Sequence, residues 1–156
     1  MFNFGKNSLE KINTLDDRLT RVLYRAIEFY NFSVVCGQRD EKAQNEAFRL
    51  GMSKLKFPES KHNSSPSKAF DIYPWHAMYR SLTEDLAVLD RIKSMSGCTV
   101  EQARVFVREE YCMMAQAIKI AAQLEGIKLR WGGDWDGDTD RLDQTFHDLA
   151  HFELTD

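Results

Sequence analysis

The sequence predicts an α+β domain in which a small mixed or antiparallel sheet is covered by helices. Three observations carry that expectation. Apolar residues recur at helical spacing in two long segments, one early and one central. Short β-branched or alternating runs lie between and after them. Gly37, Gly51, Pro74 and Gly126 punctuate these segments and do not interrupt them.

Taken in order, the first helix is expected over residues 14–30. Thr14 offers a cap, and Leu15, Leu19, Val22, Leu23, Ala26, Ile27 and Tyr30 share one face. Phe32-Ser-Val-Val-Cys36 reads as a buried strand that Gly37 ends. A second helix opens at Asp40 and stops near Gly51. A polar loop with Pro58, Ser60, His62 and Pro66 leads into the strand Ala69-Phe-Asp-Ile-Tyr73, closed by Pro74. The longest helix begins at Thr99, where Thr99 and Gln102 fit a capping box. Its apolar face runs through Ala103, Phe106, Val107, Tyr111, Met114, Ala117, Ile118, Ala121 and Leu124 to Gly126. Ile127-Lys-Leu-Arg-Trp131 and Ala150-His-Phe-Glu-Leu154 alternate as strands do, around a Gly- and Asp-rich loop.

The chain has 156 residues, 43% of them hydrophobic and 29% charged, which suits one soluble domain over residues 1–156. No apolar run approaches the roughly 18 residues of a membrane span. The N-terminus lacks the apolar stretch of a secretory signal, so synthesis in the cytosol is expected. Cys36, Cys98 and Cys112 are odd in number and lack metal-type spacing, so buried, reduced thiols are expected. The net charge of −3 argues against a nucleic-acid binder. Its distribution is uneven: residues 134–156 hold eight acids and one base.

Chemistry is concentrated around the histidines. His62 sits in the polar loop, with Asp71 nine positions later on the following strand. His151 and Asp148 lie near the other end. Two imidazoles and one carboxylate make a catalytic zinc shell with an open position for water, and a second carboxylate can take that water's proton. A rival parsing reads His147-Asp-Leu-Ala-His151 as a helical H-x-x-x-H zinc pair. Phe152-Glu-Leu154 alternates like a strand, which favours His151 as ligand, Asp148 as base and His147 at the rim. His76 has no partner in sequence, and Trp131 and Trp135 are expected in the core or the cleft wall.

Several motifs in order resemble one family. Ser60-Lys-His62 followed by Ala69-Phe-Asp71 resembles the S-x-H…A-x-D motif of the D-Ala-D-Ala carboxypeptidase and L-alanyl-D-glutamate endopeptidase family. Asp148-Leu-Ala-His151-Phe-Glu resembles its closing [DE]-x-x-H motif. Val34-Val-Cys-Gly37-Gln-Arg39, with Glu41 and Gln44, is similar to its strand–G-x-R–helix element. Ser8-Leu-Glu, Leu19-Thr-Arg-Val22 and Trp131-Gly-Gly-Asp-Trp135 resemble the phage endolysin branch. Two departures stand out. The family places seven positions between His and Asp where this chain has nine, and Ser67 stands where Gly is usual.

The resemblance implies the small zinc-peptidase fold shared with the hedgehog signalling domain. It implies zinc held by His62, Asp71 and His151, with Asp148 as general base and then acid. Arg39 would bind substrate and stabilise the oxyanion, and Ser60 would help position substrate. The implied activity is hydrolysis of the L-alanyl–D-glutamate bond of bacterial peptidoglycan by a monomeric endolysin with no separate wall-binding domain, which leaves the host cytoplasm through a holin-type pore. A D,D- or L,D-carboxypeptidase is the alternative enzyme, and a zinc-stabilised binding module the alternative of another class. Asp134, Asp136, Asp138 and Asp140 alternate around Gly137, and hard carboxylate oxygens so spaced suit calcium.

Overall fold

The computed structural model describes residues 2–74, 97 and 99–155. His76 and Cys98 lie outside the described residues, as does the side chain of Ala103. The elements run α1 (Lys6–Ile12), α2 (Asp17–Ala26), β1 (Phe32–Cys36), α3 (Glu41–Arg49), a 3-10 turn (Lys61–Asn63), β2 (Ala69–Pro74), α4 (Val100–Leu124), β3 (Leu129–Trp131) and β4 (His151–Leu154). The four strands form one antiparallel sheet in the order β1-β2-β4-β3.

Strand alternation sorts the side chains into two sets. Phe32, Val34, Phe70, Ile72, Trp131, Phe152 and Leu154 are each at most 2% exposed and form the core face. Phe70 stacks on Phe152 at 5.3 Å, and Trp131 stacks on Phe152 from the far side. Helix α4 covers this face through Val107, Tyr111, Met114, Ile118 and Ala121, and α2 packs on α4 through Leu19, Val22, Leu23 and Ala26. The opposite row holds Asp71, His151, Glu153 and Arg130. Register places Asp71 directly across from His151, and Glu153 across from Arg130. The hydrophobic effect that buries the aromatic row therefore also presents the polar row as a set.

Several boundaries differ from the sequence reading. A separate helix, α1, precedes α2, and the cap of α2 is Asp16, whose carboxylate accepts from the Arg18 amide. Thr14 instead ties the turn between the two helices. Its hydroxyl donates to the Lys11 carbonyl at 2.7 Å and accepts from the Gln38 amide at 2.9 Å. With only Leu9 and Ile12 as large apolar residues, α1 carries too weak a periodicity to be read. Its role is at the sheet edge: Ser8 Oγ accepts from the Val34 amide at 3.1 Å, beside a bulge in β1 between Val34 and Cys36. That bulge brings Cys36 opposite Asp71.

Strand β3 begins at Leu129, after a glycine at φ +67° (Gly126) ends the preceding turn. On α4 the capping box of Thr99 and Gln102 forms as expected. Phe106 and Leu124 are exposed, since Phe106 falls about 100° from the buried Val107 and Leu124 ends the last turn. Cys36 and Cys112 are free thiols, half-buried where full burial was expected. Among the described residues no helix is long and apolar enough to cross a membrane.

Hydrogen bonds from Arg18 hold the Asp16 carboxyl near a pKa of about 2, against an ordinary 3.8. A depressed folded pKa contributes stability that is complete above about pH 4 and lost as pH falls toward 2. Asp16→Ala should thus cost about 1 kcal/mol near neutral pH. Denaturant unfolding of both proteins across pH 7 to 2.5 should show that difference narrowing below pH 4.

Candidate metal centre

His62 is placed by a turn that its neighbours build. Ser60 caps the 3-10 turn, its hydroxyl accepting from the His62 amide at 3.3 Å, while Asn63 returns a side-chain bond to the Ser60 amide. The turn is tied to the segment after β1, because the Arg39 amide donates to the His62 carbonyl and Asn63 Nδ2 donates to the Arg39 carbonyl. His62 is 1% exposed, and its Nδ1–H donates to the Gly37 carbonyl at 2.6 Å. That bond fixes the tautomer and leaves the Nε2 lone pair facing inward. Gly37 is required here: a Cβ would sit 2.3 Å from Thr14 Oγ1 and 2.7 Å from the Lys11 carbonyl.

His151 is oriented from the opposite side. Its Nε2–H donates to Glu153 Oε2 at 3.0 Å, so Nδ1 faces Asp71. Three electron-pair donors then meet. His62 Nε2 lies 3.2 Å from His151 Nδ1, Asp71 Oδ1 lies 3.2 Å from His62 Nε2, and Oδ1 lies 3.0 Å from His151 Nδ1. Such donors repel one another unless a cation lies between them. A tetrahedral ion with bonds of about 2.0 Å needs its donors roughly 3.3 Å apart, which this triangle meets closely.

The electrostatics agree. Burial opposes charge on both imidazoles, yet the Asp71 carboxylate beside them outweighs it and pushes His62 up to about 10 and His151 up to about 9. Burial likewise opposes ionisation of Asp71, and the facing imidazoles hold it far below the usual carboxylate range. Without a metal, protons on the imidazoles supply the positive charge between these groups, and a bound cation would displace them to leave both rings neutral. The two added residues between His62 and Asp71 do not displace the pair. Ser67 is fully buried, and its backbone bonds to Thr14 and Asp16 take up the extra length against the α1–α2 turn.

Arg39 pairs with the second oxygen of Asp71 at 2.5 Å, and its Nε donates to Cys36 Sγ at 3.1 Å. It also lines a cleft of about 500 Å³ together with Ser60, His62, Trp135, Asp148 and His151. Cys36, His62 and Asp71 form a further group of potential donors. Composition had placed Cys36 simply among buried thiols. Only the β1 bulge reveals it here.

Asp148 enters through the loop between β3 and β4. Its amide donates to the Gly132 carbonyl at 2.7 Å, and the Gly132 amide donates to the His151 carbonyl. A Cβ on Gly132 would lie 2.3 Å from the Asp148 carbonyl oxygen, so this closure demands glycine. The Asp148 carboxylate accepts no hydrogen bond among the described residues. Burial pushes its pKa up, and the negative Asp71 nearby adds to that rise.

The chain between His147 and His151 is not helical, so the H-x-x-x-H parsing fails. His147 is exposed and lines a different depression, beside α4. Trp131 is core, its Nε1–H donating to the Leu149 carbonyl, whereas Trp135 walls the cleft. Glu153 and Arg130 escaped the sequence reading. The i, i+2 spacing from His151 on an alternating strand was the available signal for Glu153, but Arg130 needed the strand register.

In the acidic loop, Asp134, Asp136 and Asp138 offer oxygens within 4.8 Å of one another, and Asp140 is not part of that group. Lys119 lies 3.0 Å from the buried Asp134, which also accepts from the Gly137 amide. Asp136 accepts from Gln144, and Asp138 from the Asp140 amide. These bonds account for the loop's shape, and the calcium expectation gains no support.

The profile of the phage L-alanyl-D-glutamate peptidase family matches residues 1–108. The L-alanyl-D-glutamate peptidase of Escherichia phage T5 is 30% identical over 158 residues, covering 98% of both chains. Among solved structures, the L-Ala D-Glu endopeptidase ChiX of Serratia marcescens is similar, with a TM-score of 0.65 and 25% identity over 99% of this chain and 90% of that one. With more than two-thirds of its length matched by that profile, the chain belongs to the phage L-alanyl-D-glutamate peptidase family.

Proposed function

We propose that this protein is a zinc-dependent endolysin that hydrolyses the L-alanyl–D-glutamate bond in the stem peptides of bacterial peptidoglycan. The observation that carries the reading is the triangle of His62 Nε2, Asp71 Oδ1 and His151 Nδ1, with the Asp148 carboxylate in the same cleft. Two neutral imidazoles and a carboxylate are the donor set of a catalytic zinc site, and zinc bound there would lower the pKa of a bound water toward about 7 and polarise the scissile carbonyl.

Asp148 is suited to move the proton. Among the described residues no donor competes for its carboxylate, and its raised pKa brings it nearer the range in which a group both accepts and returns a proton. It takes the proton from the attacking water at a carboxylate oxygen and delivers it to the leaving amine of D-Glu. Arg39 keeps Asp71 turned toward the imidazoles, and its face on the cleft adds positive charge where the oxyanion forms. Ser60 holds the His62 turn and borders the cleft, where it would help position substrate. Passage from the host cytoplasm to the wall through a holin-type pore completes the proposal.

Purified peptidoglycan digested with the zinc-loaded protein should release peptides beginning at D-Glu, and a chelator should stop it. Mass spectrometry of the products decides. Loss of a terminal D-Ala alone would make the protein a carboxypeptidase, and no cleavage by a zinc-bound protein would leave a binding module.

Asp148→Asn should lower turnover at least about a hundredfold while one zinc per chain stays bound. His62→Ala should lose the metal along with the activity. Elemental analysis beside the turnover assay separates these two outcomes, and full activity in Asp148→Asn would remove Asp148 from its role.

Gly132→Ala should push the Asp148 backbone away from its position beside His151. A shift of about 1 Å costs on the order of a hundredfold in rate, and the overpacking costs about 1–3 kcal/mol of stability. Turnover and thermal unfolding of the variant measure both.

A further inference from the structure

One assembly beside the metal position has no part in the function proposed above. Glu153 stands two residues after His151 on β4, and its side chain is only 9% exposed. One carboxylate oxygen accepts from His151 Nε2 at 3.0 Å. The other accepts from Arg130, which register places directly opposite on β3. The Arg130 guanidinium lies over the Trp135 ring, 5.6 Å from its centroid. Trp135 in turn stacks on the His151 imidazole, with centroids 5.6 Å apart and planes 29° from parallel. The four side chains close a ring: His151, Glu153, Arg130, Trp135 and back to His151.

We propose that Glu153 is a positioning residue for His151, that Arg130 holds Glu153 in that role, and that Trp135 joins the pair to the loop carrying Asp148. The inference rests on the zinc reading given above and adds to it.

A metal-binding imidazole must be fixed both in ring orientation and in the tautomer that leaves the metal-facing nitrogen unprotonated. His62 obtains both from a backbone acceptor, the Gly37 carbonyl, which cannot rotate away. His151 has no such backbone partner at Nε2 and relies on a side chain. A flexible carboxylate does this work only when its other oxygen is anchored, and Arg130 anchors it. Trp135 closes off the remaining face of the imidazole, so ring rotation would meet the indole. Because Trp135 and Asp148 belong to the same β3–β4 loop, the ring also links the position of the base to that of the ligand.

The bland reading is a cross-strand ion pair that stabilises the sheet and nothing else. The two readings differ in what the metal feels. In the full-length protein, competition with a chromophoric chelator should show zinc bound about 10–100-fold more weakly in Glu153→Gln than in the wild type. The visible absorption bands of the cobalt-substituted protein should shift as well. Arg130→Ala, at an exposed side chain, should weaken zinc in the same direction by a smaller factor, and Arg130→Lys should recover part of the loss. This second pair decides the matter if Glu153→Gln fails to fold.

Zinc affinity and cobalt spectra unchanged in Glu153→Gln and Arg130→Ala, with only the unfolding temperature lowered, would overturn the inference and leave the zinc reading intact. A wild type that binds no zinc, or a His151→Ala variant that binds it as tightly as the wild type, would overturn the zinc reading and this inference with it.

Discussion

The site is organised by one buried carboxylate. Asp71 faces both imidazoles with Oδ1 and the Arg39 guanidinium with Oδ2. Without those partners, burying its charge would cost several kcal/mol. With them, the charge becomes the centre toward which three distant segments must fold. Residue 39 follows the edge strand, residue 62 sits in a turn, and residue 151 lies on a central strand. Asp71 reaches all of them because β2 is flanked by β1 and β4. A slip of one residue in either pairing would send the carboxylate into the aromatic core. The stacking of Phe70 on Phe152, immediately beside the Asp71–His151 pair, makes such a slip expensive. The register that protects the core and the register that assembles the site are the same.

The two histidines are supported by different means. His62 depends on local backbone: a capped 3-10 turn, the Gly37 carbonyl and the amide of Arg39. Each of these contacts tolerates little change, and the steric limit at Gly37 shows how tightly the α1–α2 turn presses on it. His151 depends on side chains arranged across β3 and β4. Asp148 is placed by a third means. It is brought in by the paired amide bonds of Gly132, where the chain returns close enough that no side chain fits. Potential donors on rigid elements and a carboxylate on a tightly closed loop give a fixed donor triangle with Asp148 beside it.

Much of this was legible in the sequence, and what was missed has physical reasons. Strand β1 and the capping box at Thr99 follow from local chemistry and were read with their boundaries. His62, Asp71, Asp148 and His151 were nominated from motif spacing, and the fold brings them together despite two added residues, which the loop around Ser67 absorbs. Helix α1 was missed since it contributes one buried serine hydroxyl at the edge strand and a single core side chain, Ile12, not an apolar stripe. Cys36 came into the site only through a bulge. Arg130 came in only through the β3–β4 register, which pairs positions 23 residues apart. Nonlocal pairing of this kind leaves no periodic trace in a single sequence.

Net charge is a poor guide to what the cleft accepts. The chain is acidic overall, and its last 23 residues carry most of the excess. Yet the exposed aspartates of that segment are turned elsewhere. Asp136 and Asp140 line two other depressions, and Asp134 is neutralised by Lys119. The parts of the loop that do border the cleft are Trp135, Gln144, Thr145 and Phe146, which carry no charge, and the single carboxylate of Asp148. Among the described residues lining the cleft, the cations are Arg39, Lys54, Lys61 and Arg130, and the acids are Glu59, Asp148 and Glu153. Arg39 and Arg130 pair with Asp71 and Glu153, and Arg39 keeps a face on the cleft. The two lysines offset the charge of Glu59 and of Asp148. A substrate carrying carboxylates meets a cleft whose local charges differ from the chain's net of −3, because Asp136 and Asp140 lie outside it and Asp134 is paired with Lys119.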